Sequence, residues 1–343
     1  MALYLNFYGI SREPFGPTPD PDLLYLTHGH REALAQLLYA IEQRKGFMLL
    51  TAEVGTGKTT LLQALRRELD DNTAVAYVSH SMLPFQAIME YMLEEFEIAK
   101  AEESHAQRIV TLQNFLIERH RAGQNTVLIL DEAQNLYPQT LEQIRLLSNF
   151  ETTTEKILQI LLVGQPELKM KLELPEMRQL GQRIAIRATI PPLTGAGTRN
   201  YVRARLRLAG CQDPGLFTDA ALARIAEYAG GIPRIINTLC DHALLIGYAD
   251  QTRRIDVEIV NQAIQYLEAG LKPGRRARPR PRRARVRARM TAAQWAFTGM
   301  VTGLVTGLGA LALRDFEAMS RTLLTAGLYV SDLVRSAQTW LGL

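Results

Sequence analysis

Between Phe47 and Ile190 the chain carries five apolar runs of strand length: FMLLTA (47–52), AVAYVS (74–79), TVLILD (126–131), ILQILLVG (157–164) and IAIRATI (184–190). Between them lie helical stretches near 85–97, 106–121 and 139–150. Runs that are apolar at nearly every position are those of strands buried on both sides. Their alternation with helices predicts an α/β fold, a parallel sheet covered by helices on both faces. Ahead of the first run, REALAQLLYAIEQRKG places Leu34, Leu37, Leu38 and Ile41 on one helical stripe. Residues 1–26 set Phe7, Tyr8, Phe15 and Tyr25 among prolines 14, 17, 19 and 21, which reads as an extended lead packed on a body. After PPLTGAG (191–197) the strand-like runs stop, and helices are expected at about 198–209, 218–228, 233–248 and 256–269, forming a separate helical domain.

Beyond residue 270 the pattern changes again. The segment 271–290 holds ten basic residues between Lys272 and Arg289 and no acidic one, and it has too few apolar residues to fold. The next stretch, 291–313, runs without a charge for a length that crosses a hydrocarbon core, and a membrane anchor is expected there; an interfacial segment is the alternative. Gly299, Gly303 and Gly307 recur along one face of that helix, a spacing that lets membrane helices approach closely. Residues 314–343 read as a short amphipathic tail.

Composition changes the picture in two places. Apolar residues at 47% and charged residues at 22% exclude wholesale disorder, and 343 residues allow two folded units. The net charge of +4 is uneven: removing the ten positive charges of the linker, with the tail balanced, leaves residues 1–271 at −6. Cys211 and Cys240 have neither a CxxC nor a His-rich neighbourhood, so no zinc site or disulfide scaffold is read, only two buried thiols. The N-terminus lacks the basic start and apolar core of a secretory signal.

The chemistry gathers at strand ends. TAEVGTGKTT (51–60) meets the phosphate-binding pattern G-x-x-x-x-G-K-[ST] at Gly57, Lys58 and Thr59, with Ala52 in place of the first glycine. The cradle is Glu53, Val54, Gly55, Thr56, Gly57, Lys58, Thr59 and Thr60, whose amides and following helix N-terminus suit a nucleoside triphosphate. A methyl at position 52 is harmless if its φ stays negative. VLILDEAQNL (127–136) ends a buried strand with Asp131, suited to Mg²⁺ together with the Thr59 hydroxyl, and Glu132, suited to orienting an attacking water. Gln165 follows the strand ILLVG, where it can sense the γ-phosphate. RQLGQRI (178–184) offers Arg178 and Arg183, either of which can reach a neighbouring subunit's nucleotide, and GGIPRIIN places Arg234 just inside a helix of the second domain.

With these motifs in this order the chain resembles the AAA+ family, and within it the ATPases typified by general secretion pathway protein A (the ExeA type) and by exosortase loci, over about residues 3–270. NFYGISREPFGPTPDPDLLYLTHGHREALAQLLYAIEQRKGF, AEVGTGKTT, LILDEAQNL, LLVGQPEL, RQLGQRI and GGIPRIIN carry the likeness. The resemblance implies an N-terminal lead and helix (1–45), a P-loop core (46–195) and a helical lid domain (196–270). It also implies ATP and Mg²⁺ as cofactors, Lys58, Glu132, Gln165 and one of Arg178 and Arg183 as catalytic residues, Arg234 as a second sensor, and a ring or helical homo-oligomer. The expected setting is the bacterial inner membrane with the ATPase on the cytoplasmic side, acting on an envelope or secretion protein. With 30 residues read after the span, the peptidoglycan-binding domain of ExeA-type proteins is not expected. Two other readings use the same residues: a DNA-acting regulator related to transposition ATPases of the TnsC and TniB kind, and a nucleotide-state switch with little turnover.

Overall fold

The computed structural model describes residues 4–16, 25–79, 82–98 and 104–271. The linker from residue 272, the segment 291–313 with its glycine stripe, and the tail lie outside the described residues. Among the described residues no helix is long and apolar enough to cross a membrane.

Strands β1 (Phe47–Ala52), β2 (Thr73–Val78), β3 (Asn125–Leu130), β4 (Gln159–Gly164) and β5 (Ile184–Ile190) form one sheet in the order β2-β3-β4-β1-β5. Every pairing in it is parallel. The strand period of two divides the apolar residues between the faces. Phe47, Leu49, Leu128, Leu130, Ile160 and Leu162 share one cluster with α4 (Phe85–Glu95), α5 (His105–Arg121), α6 (Pro138–Leu147), α7 (Pro166–Leu172) and α8 (Arg178–Arg183). Met48, Leu50, Val127, Ile129, Leu161 and Val163 pack on the other face against α2 (His28–Glu42) and α3 (Lys58–Glu68). Strands covered on both sides must be apolar at successive positions, which is why the runs do not alternate.

From β1 the chain crosses to β2 at the far edge, returns through β3 and β4, and then passes β1 to reach β5. Crossovers from β1 and β4 therefore leave in opposite directions. Open α/β sheets take their ligands at the carboxyl edge where this happens.

A second core is built by α9 (Gly195–Leu208), α10 (Asp219–Ala229), α11 (Pro233–Ala249) and α12 (Val257–Leu271). Thr194 and Thr218 cap α9 and α10 through their hydroxyls, and Pro233 opens α11 at the one turn that needs no amide donor. The N-terminal lead belongs to this core: Tyr4, Leu5, Ile10 and Phe15 are buried in it. Within the expected extended lead, Leu5–Tyr8 forms a helical turn, α1, closed by Gly9 at φ +65°. The prolines that argue for extension begin only at Pro14, so nothing in LNFYG opposes a single turn. Cys240 is buried as expected, whereas Cys211 is half-buried; both are free thiols.

Candidate active site

β1 ends at Ala52, and the chain turns through residues 53–57 into α3. Ala52 is 2% exposed, pairs with Ile190 in β5 and packs in the α2/α3 core. It is not among the described non-glycine residues with positive φ. The methyl group is thus a core group of the sheet, and the loop proper starts after it. Gly55 and Gly57 hold φ of +82° and +108°, where a side chain is strained. Space excludes one too: a Cβ on Gly55 would lie 2.7 Å from the Cβ of Arg234, and one on Gly57 2.6 Å from Nε2 of His30.

Inside the loop, the Thr56 hydroxyl donates to the Glu53 carbonyl at 2.7 Å. Lys58 is buried, and its ammonium donates to the carbonyls of Ala52 at 3.0 Å and Glu53 at 3.4 Å. Among the described residues no side chain caps α3, whose N-cap is Gly57, so its first amides are open to an external acceptor. Glu53, Val54 and Thr59 are exposed and Thr60 half-buried. His30 stands behind the loop. Thr27, the N-cap of α2, holds its Nδ1 at 2.6 Å, while the buried Nε2 has no hydrogen-bond partner among the described residues.

At the end of β3 the Asp131 amide donates to the Val78 carbonyl at 2.9 Å, which continues the β2–β3 ladder by one residue. Its carboxylate is fixed at both oxygens: Tyr77 donates its hydroxyl to Oδ2 and the Glu132 amide donates to Oδ1, each at 2.8 Å. Glu132 sits in the left-handed region at φ +50°, a conformation costing about 1–3 kcal/mol for a residue with a side chain. Its Oε2 accepts from the side-chain amides of Gln134 at 2.6 Å and Gln165 at 3.2 Å. Gln165 stands at the N-cap position of α7, and its backbone amide donates to Oε1 of Gln134 at 3.2 Å. Burial opposes ionisation of Glu132, but these two amides and the charge of Lys58 outweigh it and hold the carboxyl below its usual range. Lys171 of α7 secures the turn after Glu132 by donating to the carbonyls of Gln134, at 2.9 Å, and Leu136.

Strand ends thus bring together Lys58, Asp131, Glu132 and Gln165. The helical domain adds Arg234, near the start of α11, whose backbone amide donates to the Gly55 carbonyl at 3.1 Å. The two arginines of α8 stand apart from this group. Arg183 donates to the Arg145 carbonyl at 3.3 Å, to Asn149 at 2.8 Å and to the Ser148 hydroxyl, tying it to the end of α6. Arg178 is exposed. His30, Tyr77, Gln134 and Lys171 are the participants that motif reading passed over. Gln134 and His30 lay inside quoted motifs without being singled out; Tyr77 and Lys171 are brought in by register and packing. A pocket of about 530 Å³ on the helical domain, lined by Tyr25, Arg203, Arg207 and Cys211 among others, includes none of the expected site residues.

The donors fit the expected groups. A glycine loop that cannot admit side chains, an uncapped helix start and a buried lysine suit a polyphosphate. The Thr59 hydroxyl and Asp131 carboxylate are hard oxygen donors suited to Mg²⁺. Among the described residues no cluster of three His, Cys, Asp or Glu side chains could hold a metal alone, as befits an ion that takes its other oxygens from phosphate and water.

Sheet, loop and acid pair define a P-loop ATPase of the AAA+ class, and a family model described as an AAA domain matches residues 41–172. The chain is related to general secretion pathway protein A. It is 41% identical over 254 residues to that protein from Aeromonas hydrophila, an alignment covering 74% of this chain and 46% of the relative. The chain therefore spans less than half the relative's length. Cdc6p from Pyrobaculum aerophilum is similar in fold, at 19% identity and a TM-score of 0.56 over 74% of this chain and 70% of that one. So is the ORC2 protein of Aeropyrum pernix in its ADPNP–ADP complexes, at 19% identity and a TM-score of 0.54 over 76% and 72%.

Proposed function

We propose that this chain binds and hydrolyses Mg²⁺-ATP within a homo-oligomer at the bacterial inner membrane, and that the cycle assembles or remodels an envelope or secretion-type machine. The observation carrying the chemistry is the Glu132 carboxylate, held by the side-chain amides of Gln134 and Gln165 one residue from Asp131. In this reading the amides of residues 53–60 and Lys58 bind the phosphates, Thr59 and Asp131 hold the metal, and Glu132 orients the attacking water. Mg²⁺, when bound with ATP, neutralises charge on the phosphates. Gln165 reports the phosphate state to Glu132 through the bond it already makes. Arg234 contributes from the lid, and Arg178 or Arg183 comes from the neighbouring subunit.

The setting rests on the relationship to a secretion-pathway protein and on the sequence of 271–313, a basic flank beside an uncharged stretch. A DNA-acting role has less support, because residues 1–271 carry a net −6 and repel a phosphate backbone. The test is a pair of substitutions. Lys58→Ala should weaken nucleotide binding, whereas Glu132→Gln should bind normally and stop turnover. Equal binding by wild type and Lys58→Ala would overturn the reading.

A further inference from the structure

We propose that Tyr77 is a positioning residue for the metal-nucleotide complex, orienting the Asp131 carboxylate from the neighbouring strand. This rests on the nucleotide reading above. β2 holds Asp131 twice, through the Val78 carbonyl on its backbone amide at 2.9 Å and the Tyr77 hydroxyl on Oδ2 at 2.8 Å. Register requires this: Tyr77 pairs with Ile129 and Val78 with Leu130, so the next residue of β3 emerges beside the tyrosine ring. With Oδ1 taken by the Glu132 amide, one acceptor site on each oxygen is used and the plane of the carboxylate is set. Each oxygen keeps a second lone pair for a metal-bound water.

The choice of donor matters. A lysine or arginine at this place would neutralise the carboxylate and compete with Mg²⁺; a phenol orients it and leaves its charge. The Arg66 guanidinium of α3 lies over the Tyr77 ring, 5.9 Å from its centre. Tyr77 thus bridges the helix that follows the phosphate loop and the acid that follows β3.

The experiment titrates MgCl₂ into full-length protein with a fixed amount of a fluorescent ATP analogue, and repeats the binding in excess EDTA. Tyr77→Phe keeps the ring and its contact with Arg66. It should need about tenfold more Mg²⁺ for half-saturation, as expected for losing one hydrogen bond to a charged group, while binding in EDTA and the thermal midpoint stay those of wild type. In an Asp131→Asn background, Tyr77→Phe should add nothing further. Superimposable Mg²⁺ curves for Tyr77→Phe and wild type would overturn the proposal, as would an equal loss in EDTA or an undiminished effect in the Asp131→Asn background. If wild type itself gains nothing from Mg²⁺, or Lys58→Ala binds as well, the nucleotide reading fails and takes this one with it.

Discussion

Each small residue in the phosphate loop has a separate reason for its size. Ala52 is a strand residue in a filled core, so Ala52→Gly should leave hydrolysis close to wild type. Gly55 and Gly57 have no such tolerance. At Gly55→Ala the positive φ and the nearby Arg234 Cβ act together, and nucleotide affinity should fall at least tenfold in a binding titration. Gln134→Ala should free Glu132 and let its carboxyl rise toward the normal range, lowering kcat about tenfold with little change in nucleotide binding. His30 gives a pH signature: burial pushes its pKa below the usual 6.5, against a smaller pull from the backbone of Thr56 and Gly57. Below about pH 6.5 the unfolded chain takes up a proton that folded His30 resists. Stability should therefore fall as pH drops from that value toward the depressed one. Urea midpoints of wild type should show this slope, and those of His30→Gln a flatter one.

Among the elements, α8 and the lead separate folding roles from catalytic ones. Arg183 ties α8 to the end of α6, so Arg183→Ala should cost about 1–2 kcal/mol of stability in denaturant melts. Arg178→Ala, at an exposed position, should cost almost nothing. A loss of activity in Arg178→Ala is then a matter of the site, whereas one in Arg183→Ala must first be corrected for fold. In the lead, Phe15 is 2% exposed and meets Phe217 edge to face with centroids 6.3 Å apart. Phe15→Ala should destabilise the helical domain by about 3–5 kcal/mol. Hydrogen exchange should rise in α9 to α12 and stay low in the sheet, because the two cores are distinct clusters.

For the whole molecule, the separation of α8 from the Lys58–Glu132 group fits a site completed by another copy. Assembly should then depend on nucleotide. Mixing Glu132→Gln subunits with Arg178→Ala or Arg183→Ala subunits should restore hydrolysis for whichever arginine acts between subunits, and no recovery at any ratio would remove the neighbour's contribution. Residues 291–313 carry the membrane expectation. Full-length protein should sediment with membranes, and a chain lacking residues 290–343 should not.

The sequence by itself determined the sheet, the helices and the loop, because strands buried on both sides and a glycine-lysine turn leave patterns of neighbouring residues. Lys58, Asp131, Glu132 and Gln165 were legible as candidates because each follows an apolar run: Lys58 across the loop after β1, Asp131 and Glu132 after β3, and Gln165 after β4. What only the tertiary structure decided depends on residues far apart in sequence. Strand order has no local signal, since β1 lies between β4 and β5 while β2 lies at the far edge. The lead's place in the helical core joins Tyr4 to Asp241, 237 positions away. Tyr77 and His30 have ordinary neighbours along the chain, a tyrosine in an apolar strand and a histidine at a helix start. Pairing register sets the first on the Asp131 carboxylate, and packing of α2 against the loop sets the second behind Gly57, because a hydrogen bond or a contact is fixed by distance in space, which spacing in sequence does not specify.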